Sequence, residues 1–242
     1  MPGNVFGLAG IALLMVAGAA RSDIRLDGNF YTDRSVSPAV REAEGLEEAA
    51  IAYSKQLSAI TPADSVMGRP EKGLSFKLYF DDIKYYIVPV RFMARDRPGE
   101  ACTPADFKGA PTYMCKEGQR YKDSCHLIFL DDNLKPAGAY RIRIDEPFDV
   151  FCNADIAMGV YDKKKNELLV TFQYFPIDRK AASKISEVGS GWIRMTSLFR
   201  LKQSNGRIEV EQDDTCLKNP NRIETIPDAR KELRACGARL SK

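Results

Sequence analysis

The pattern of apolar and polar positions predicts one amphipathic helix near the N-terminus. Between residues 37 and 60, apolar side chains recur at steps of three or four residues, which places them on one helix face. They are Leu46, Ala50, Tyr53, Leu57 and Ile60. Ser37 suits the N-cap position, and Pro38 suits the first helical turn. We therefore predict a helix over residues 37–60 that packs on a sheet.

Residues 74–212 show the pattern of β-strands joined in hairpins. Short segments rich in aromatic and β-branched residues are separated by turn residues, and Asn205-Gly206 is a strong hairpin-turn pair. The predicted strands are 74–80, 83–94, 126–130, 139–144, 155–161, 167–175, 192–202 and 208–212. Pro89 cannot donate a ladder hydrogen bond, so we place it at a sheet edge or a bulge.

The C-terminal tail completes the predicted architecture. Residues 227–236 return to a helical pattern, and Gly237 is a typical C-terminal stop. Runs of strands with the helices kept apart are typical of α+β or mostly β proteins. We predict an α+β, mostly β fold: an antiparallel meander, barrel or sandwich of about eight strands, with an N-terminal amphipathic helix and a short C-terminal helix.

Residues 1–20 resemble a secretory signal. No charged side chain precedes Arg21, and residues 5–20 are apolar or small and end in a run of Ala and Gly. As a helix this stretch would span about 24 Å, which is short of the roughly 30 Å hydrocarbon core of a membrane. We predict a cleaved signal over residues 1–20, a single β-rich domain over 21–242, no stable membrane insertion after cleavage, and a periplasmic or secreted location.

The six cysteines predict a disulfide-braced fold. They are Cys102, Cys115, Cys125, Cys152, Cys216 and Cys236. An even number of cysteines behind an export signal is typical of an oxidising compartment. No two are spaced as C-x-x-C, the spacing of zinc knuckles and thioredoxin-like redox pairs. Closeness in sequence favours a Cys216–Cys236 bond, with the other four cysteines pairing among themselves.

His126 is the only histidine, and it directly follows Cys125. Neighbouring residues on a strand point to opposite faces, so this pair cannot act as nucleophile and base if residue 126 begins a strand. We place His126 at the edge of a strand or half-buried within one. We expect no catalytic residue, no cofactor and no metal site.

Carboxylates are concentrated in residues 131–162. They are Asp131, Asp132, Asp145, Glu146, Asp149, Asp155 and Asp162. A pair of carboxylates could hydrolyse a glycoside, whereas the motif of a calcium-binding loop is absent. Most of these residues fall at predicted turns, where an aspartate accepts hydrogen bonds from its own backbone. We therefore favour a role in turns.

Three aromatic side chains are candidate interface anchors. Tyr113 and Tyr121 lie in residues 96–124, which we expect to form a long loop held by disulfides, and Trp192 is the only tryptophan. Tyrosine and tryptophan dominate binding hot spots, although core packing is the alternative for Trp192. A net charge of +3 argues against a dedicated nucleic-acid binder.

These observations favour an exported binding module that acts on a protein partner. Its most concrete form is an inhibitor or immunity protein that neutralises a toxin or a hydrolase. Two alternatives stay open: a carboxylate-dependent hydrolase of envelope polysaccharide, and a non-catalytic assembly factor of the cell envelope.

Overall fold

Two antiparallel sheets, a separate hairpin and two α-helices make up the part of the chain that the structure describes. The computed structural model describes residues 23–30, 45–54, 56, 65–70, 75–95, 103–107, 110–114, 121–146, 149–177 and 192–240. In chain order the elements are β1 (Ile24–Phe30), α1 (Leu46–Ser54), β2 (Ser65–Pro70), β3 (Ser75–Phe80), β4 (Ile83–Arg95), β5 (Thr103–Phe107), β6 (Ala110–Met114), β7 (Tyr121–Asp131), β8 (Pro136–Arg141), β9 (Asp149–Asp162), a 3-10 turn (Lys163–Lys165), β10 (Glu167–Ile177), β11 (Ile193–Ser204), β12 (Arg207–Asp213) and α2 (Ile226–Leu240).

The first sheet is built around β4. Its strand order is β1-β3-β4-β7-β8, and β2 is a sixth strand that also pairs with β4. On one edge, β4 pairs with β3 from Ile83 to Ile87 and with β2 from Val90 to Ala94. On the other edge it pairs with β7 over residues 85–95. β1 joins the outside of β3, far from its neighbours in sequence.

The second sheet is a run of hairpins in the order β12-β11-β10-β9. The turn between β11 and β12 holds Asn205 at φ 52° and Gly206 at φ 74°. Two successive left-handed residues match the right-handed twist of the flanking strands, so the predicted hairpin turn is confirmed. β5 and β6 form a separate two-stranded hairpin, inserted in sequence between β4 and β7.

The two sheets face each other across one core. Inward side chains of the first sheet include Leu78, Ile87 and Phe129, and those of the second include Phe172 and Phe199. Each is 3% exposed or less. The disulfide Cys125–Cys152 joins β7 to β9 across this core, with the two Cα atoms 5.7 Å apart. Of the predicted architectures (meander, barrel or sandwich), the described residues therefore form a sandwich.

A helix covers the outer face of each sheet. Leu46 and Ala50 of α1 pack on outward side chains of β4 and β7, and Ala229 and Leu233 of α2 pack on outward side chains of β10 and β11. Because both faces of each sheet are covered, the central strands are buried on both sides, and their apolar and polar residues do not simply alternate. This explains the unbroken apolar runs in β4, β7 and β10.

The edges of the two sheets approach each other at Gly138. A Cβ atom at this position of β8 would lie 2.3 Å from the carbonyl oxygen of Ile208 in β12. No real Cβ atom fits at that distance, so only glycine allows the backbones of β8 and β12 to come together here. Along this side the sandwich is nearly closed.

The structure does not support a helix over the whole of residues 37–60. The described helix is α1, of nine residues, and it buries Leu46, Ala50 and Ser54. Residues 31–44 and 57–64 lie outside the described residues. Apolar spacing marked the buried face of α1, but spacing alone does not locate the ends of a helix.

Pro89 lies in a central strand, so its predicted place at an edge or a bulge is wrong. It pairs with Leu127 of β7 on one side. On the other side it falls between the last β3 pair, at Ile87, and the first β2 pair, at Val90. The described residues supply no ladder partner on that side of Pro89, so a missing N–H is tolerated there.

Two further boundaries differ from the prediction. Residues 96–124, predicted as a structureless loop, contain β5 and β6, and β7 begins at Tyr121 instead of residue 126. α2 continues through Gly237 to Leu240. Nothing lies within 4 Å of a Cβ at Gly237, and a glycine inside a helix costs only about 1 kcal/mol, which does not end a helix that packing supports.

The predicted bond between Cys216 and Cys236 is confirmed, with Cα atoms 5.7 Å apart. It ties the segment after β12 to α2. The Cys125–Cys152 bond agrees with the expectation that the other cysteines pair among themselves. Cys102 and Cys115 lie outside the described residues, as does the predicted signal over residues 1–20.

Candidate functional site

In the part of the chain that the structure describes, four tight turns lie together at one end of the sandwich, which we call the turn end. The four turns are centred on residues 81–82, 132–135, 163–166 and 205–206. They share one end because Asp81 and Lys163 both contact Asp23, and because Gln203 donates a hydrogen bond to the hydroxyl of Tyr85 at 3.1 Å. Short turns of this kind offer little surface that could be varied for binding.

The opposite end carries the long connections, and we call it the loop end. There β4, β8, β10 and β12 finish, and β7, β9 and β11 begin. The connections that leave from it are residues 96–120, 142–148, 178–192 and 214–225. Binding residues are found disproportionately on loops that a rigid scaffold positions, so the loop end is the candidate functional surface.

A cleft opens at the loop end where the chain after β8 separates from β7. β8 pairs with β7 as far as Arg141, which lies opposite His126, and the Ile142 N–H still donates to the Cys125 carbonyl at 2.8 Å. Beyond that point the two segments diverge. The cleft has a volume of about 270 Å³ and is lined by Ser124, Cys125, Arg141, Ile142, Arg143, Ile144 and Val150.

One side chain of β12 and one from the segment after it hold the diverging segment in place. Gln212 accepts a hydrogen bond from the Arg143 N–H at 2.9 Å and donates one to the Arg143 carbonyl at 3.0 Å. Asn219 donates to the same carbonyl at 2.9 Å and accepts one from the Asp145 N–H at 2.9 Å. These two amide side chains take the place of a neighbouring strand, so residues 143–145 are bonded without belonging to a sheet.

The two arginines at the cleft differ in their partners. The Arg143 guanidinium lies 2.5 Å from a carboxylate oxygen of Asp214 and 3.4 Å from one of Asp145. Arg141 is exposed and makes no ion pair or hydrogen bond with its side chain in the described part of the chain. The charge of Arg143 is therefore largely neutralised, whereas that of Arg141 is available to a ligand.

The loop end carries a second feature besides the cleft, an exposed aromatic side chain on the other sheet. Trp192 immediately precedes β11 and is 45% exposed, so it is not packed in the core. Its role as an anchor stays a prediction. Its ring contacts Phe175 of β10 edge-on, with the ring centroids 5.9 Å apart. The indole therefore has one aromatic neighbour and is still 45% exposed.

The structure places only the backbone of the two predicted tyrosines. Tyr113 lies in β6 opposite Pro104, and Tyr121 opens β7 opposite Arg95. Their side chains lie outside the described residues. Tyr113 belongs to the connection between β4 and β7, and Tyr121 is the first residue of β7, where that connection returns to the loop end. Their predicted role in binding stays a prediction.

His126 is buried rather than half-buried or at an edge, which corrects its predicted place. It is 4% exposed and lies inside β7, on the face opposite Cys125. Burial, followed by the charge of Arg141, lowers the pKa of His126 to about 4. The imidazole is therefore neutral at pH 7, and the neighbouring Cys125 is held in a disulfide, so the two do not form a nucleophile–base pair.

Several carboxylates of residues 131–162 have structural partners. Asp131 accepts the N–H groups of Asn133 and Lys135, and Asp162 accepts those of Lys164 and Lys165. The turn role is confirmed for these two.

Asp132 pairs with Lys84 at 2.5 Å at the turn end, whereas Glu146 accepts a hydrogen bond from the Tyr174 hydroxyl at 2.6 Å at the loop end. The carboxylates are thus divided between the two ends of the sandwich. Among the described residues, no group of three or more His, Cys, Asp or Glu side chains is placed to hold a metal ion.

Sequence reasoning missed the cleft. Residues 139–144 are predicted as one strand, but β8 ends at Arg141, and the chain from Ile142 onward leaves the sheet. The partners that pull the segment away, Gln212 and Asn219, are about 70 residues further along the chain. Arg141 and Arg143 alternate with two isoleucines in the sequence, but this pattern fits an ordinary strand equally well and does not indicate a cleft.

No family model, no curated protein and no solved structure matches this chain. In the part of the chain that the structure describes, no helix is both long and apolar enough to cross a membrane.

Proposed function

We propose that this chain is an exported binding module that recognises a protein partner through its loop end. The observation that supports the proposal is the asymmetry of the sandwich. Among the described residues, the four tight turns lie at one end, whereas the strand ends that lead into the long connections, the cleft and the exposed Trp192 lie at the other. Such a division is typical of a scaffold that presents loops to a ligand.

The scaffold favours tight binding because it is rigid. Both sheets are covered on both faces, and a disulfide joins β7 to β9 close to the loop end. Side-chain hydrogen bonds from Gln212 and Asn219 hold residues 143–145. A surface that is ordered before binding loses less conformational entropy when the complex forms.

Trp192 is the best candidate for a hot spot. A large aromatic side chain that is 45% exposed offers apolar area to a partner, and its contact with Phe175 limits its freedom in the unbound protein. Tryptophan is enriched among residues whose truncation costs about 2 kcal/mol or more of binding energy. Tyr113 of the connection between β4 and β7 and Tyr121 at the start of β7 would add contacts.

The most concrete form of this function is an inhibitor or immunity protein that neutralises a toxin or a hydrolase outside the cytoplasm. The apolar stretch over residues 5–20 and the disulfides support an oxidising compartment, periplasmic or extracellular. We do not favour the polysaccharide hydrolase, because several carboxylates of residues 131–162 stabilise turns or pair with neighbouring side chains. No specific observation favours an envelope assembly factor.

The test begins with affinity capture and ends with measured affinities. The oxidised chain is exposed to envelope and secreted extracts, the retained protein is identified, and its dissociation constant is measured with purified components. We expect Trp192→Ala to weaken binding by about 2 kcal/mol, and Tyr113→Ala and Tyr121→Ala by about 1 kcal/mol each.

Ile83→Ala is the matched control. Ile83 is the other large apolar side chain that is exposed in the described residues, at 53%, but it lies at the turn end. We expect this variant to bind as the wild type does. Equal loss in Trp192→Ala and Ile83→Ala, or no stoichiometric partner in either extract, would contradict a protein-binding loop end.

A further inference from the structure

We propose that the cleft between β7 and residues 142–146 binds a carboxylate that carries an apolar group. The C-terminal residue of a peptide presents this combination when its side chain is apolar. The inference rests on the proposed function for the identity of the peptide, since the peptide would belong to the partner. The chemistry of the cleft can nevertheless be tested without the partner.

Arg141 supplies the charge that a carboxylate requires. It is exposed at the rim of the cleft and has no ion pair or hydrogen bond of its own side chain within the described residues. A guanidinium presents parallel N–H groups that match the two oxygens of a carboxylate. Arg143, on the same rim, is held by Asp214 and Asp145 and so adds little net charge.

The backbone supplies a second donor, at Ile144. The Ile142 N–H points to β7, and those of Arg143 and Asp145 point the other way, to Gln212 and Asn219. Successive N–H groups of an extended chain alternate in direction, so the Ile144 N–H points back towards β7 and into the cleft. No hydrogen bond from it is formed in the described part of the chain.

The floor of the cleft is apolar and small. Ile142, Ile144 and Val150 line it together with Cys125 of the disulfide. A volume of about 270 Å³ lies at the lower limit of ligand pockets, which hold drug-sized molecules from about 300 Å³ upward. The cleft is therefore suited to one residue, with its side chain on the floor and its carboxylate at the rim.

The test uses three peptides and the oxidised chain, with binding followed by the NMR shifts of the Ile and Val methyl groups. The first peptide is acetyl-Gly-Gly-Leu with a free carboxylate, the second is its amide, and the third is acetyl-Gly-Glu-Leu-amide. We expect the first to shift Ile142, Ile144 and Val150 saturably. The amide is expected to bind about tenfold more weakly or worse, because the charge-assisted hydrogen bonds are lost.

The third peptide separates the two sources of a carboxylate. It carries the group on a side chain instead of the terminus. If it binds as tightly as the first, the assignment to a C-terminal residue is overturned; if it binds like the amide, the assignment is supported.

Arg141→Gln and Arg207→Gln form the matched pair of variants. Both arginines are exposed, but Arg207 begins β12 at the turn end. We expect Arg141→Gln to weaken the first peptide about tenfold and Arg207→Gln to leave its affinity unchanged. Equal affinity in both variants, or no saturable shift at peptide concentrations of about 10 mM, would overturn the inference.

The two proposals fail in different ways. If the peptides do not bind but Trp192→Ala still weakens capture of the partner, the cleft inference falls and the proposed function stands. If the peptides bind as expected but no protein partner is found, the carboxylate site stands and the proposed function falls.

Discussion

Replacing His126 with leucine is expected to make the fold less sensitive to acid. The imidazole is buried in β7, with Val90 of β4 on one side and Arg141 of β8 on the other. Burial is the larger cause of its lowered pKa and the charge of Arg141 the second, while a hydrogen bond with the backbone of Ser124 acts in the opposite direction. Leucine has a similar volume and carries no titrating group, so the difference between the two proteins reports on protonation of the imidazole.

The size of the effect follows from the two pKa values. The pKa of His126 is about 4 in the folded chain and about 6.5 in an unfolded one. Between these values the unfolded chain binds a proton that the folded chain does not. The free energy of unfolding therefore falls as the pH drops through this window. The loss is about 2 kcal/mol between pH 7 and pH 5, and about 3 kcal/mol once the pH is below 4.

The assay is urea unfolding of the wild type and of His126→Leu at a series of pH values from 7 to 4. Carboxylates contribute to acid sensitivity in both proteins, so the difference between the two curves reports on His126. Because the chain has a single histidine, one imidazole NMR signal gives its pKa directly. In Arg141→Gln we expect that pKa to rise, since a neighbouring positive charge has been removed.

Two results would refute this reasoning. One is the same pH dependence of unfolding in the wild type and in His126→Leu. The other is an imidazole signal that titrates near the ordinary pKa of histidine, because a group with that pKa in both states contributes nothing to the pH dependence.

Two further substitutions test the packing of the sandwich. Gly138→Ala is expected to destabilise the fold by about 1–3 kcal/mol or more, because the new Cβ would overlap the Ile208 carbonyl, whereas Gly237→Ala, where the Cβ meets nothing, is expected to stabilise it by up to about 1 kcal/mol. Thermal unfolding in which Gly138→Ala is no less stable than the wild type would contradict the close approach of β8 and β12. Replacing Cys125 and Cys152 together with alanine is expected to cost about 3–4 kcal/mol in urea unfolding, since their bond closes a loop of 27 residues. A loss below about 1 kcal/mol would show that the bond adds little constraint to the unfolded chain.

The type of each local feature of the fold could be predicted from the sequence, whereas the residues at which helices and strands begin and end could not. The hairpin turn at Asn205-Gly206 depends on residues that adopt left-handed conformations, and this preference is visible in the sequence. The turn role of Asp131 and Asp162 likewise depends on neighbours within four residues. The Cys216–Cys236 bond was found for the same reason, since its partners are only 20 residues apart.

The candidate site was less accessible to prediction. Trp192 was a candidate anchor from its residue type, with core packing as the alternative. It is 45% exposed, and its role in binding stays a prediction. Arg141 and Ile144 were not identified. Their importance depends on where β8 leaves β7, which is decided by hydrogen bonds from Gln212 and Asn219.

By itself the sequence determined that this chain is mostly β, that its strands follow one another in hairpins, and where most of the tight turns fall. These properties depend on interactions between residues close together in the chain, which their order makes visible. Only the tertiary structure decided that β1 pairs with β3 and that β4 lies in the middle of its sheet. It also decided that the strand ends leading into the long connections lie at the same end of the sandwich as the cleft. The apolar faces of these strands resemble one another chemically, so the choice among their possible neighbours depends on how the whole core packs.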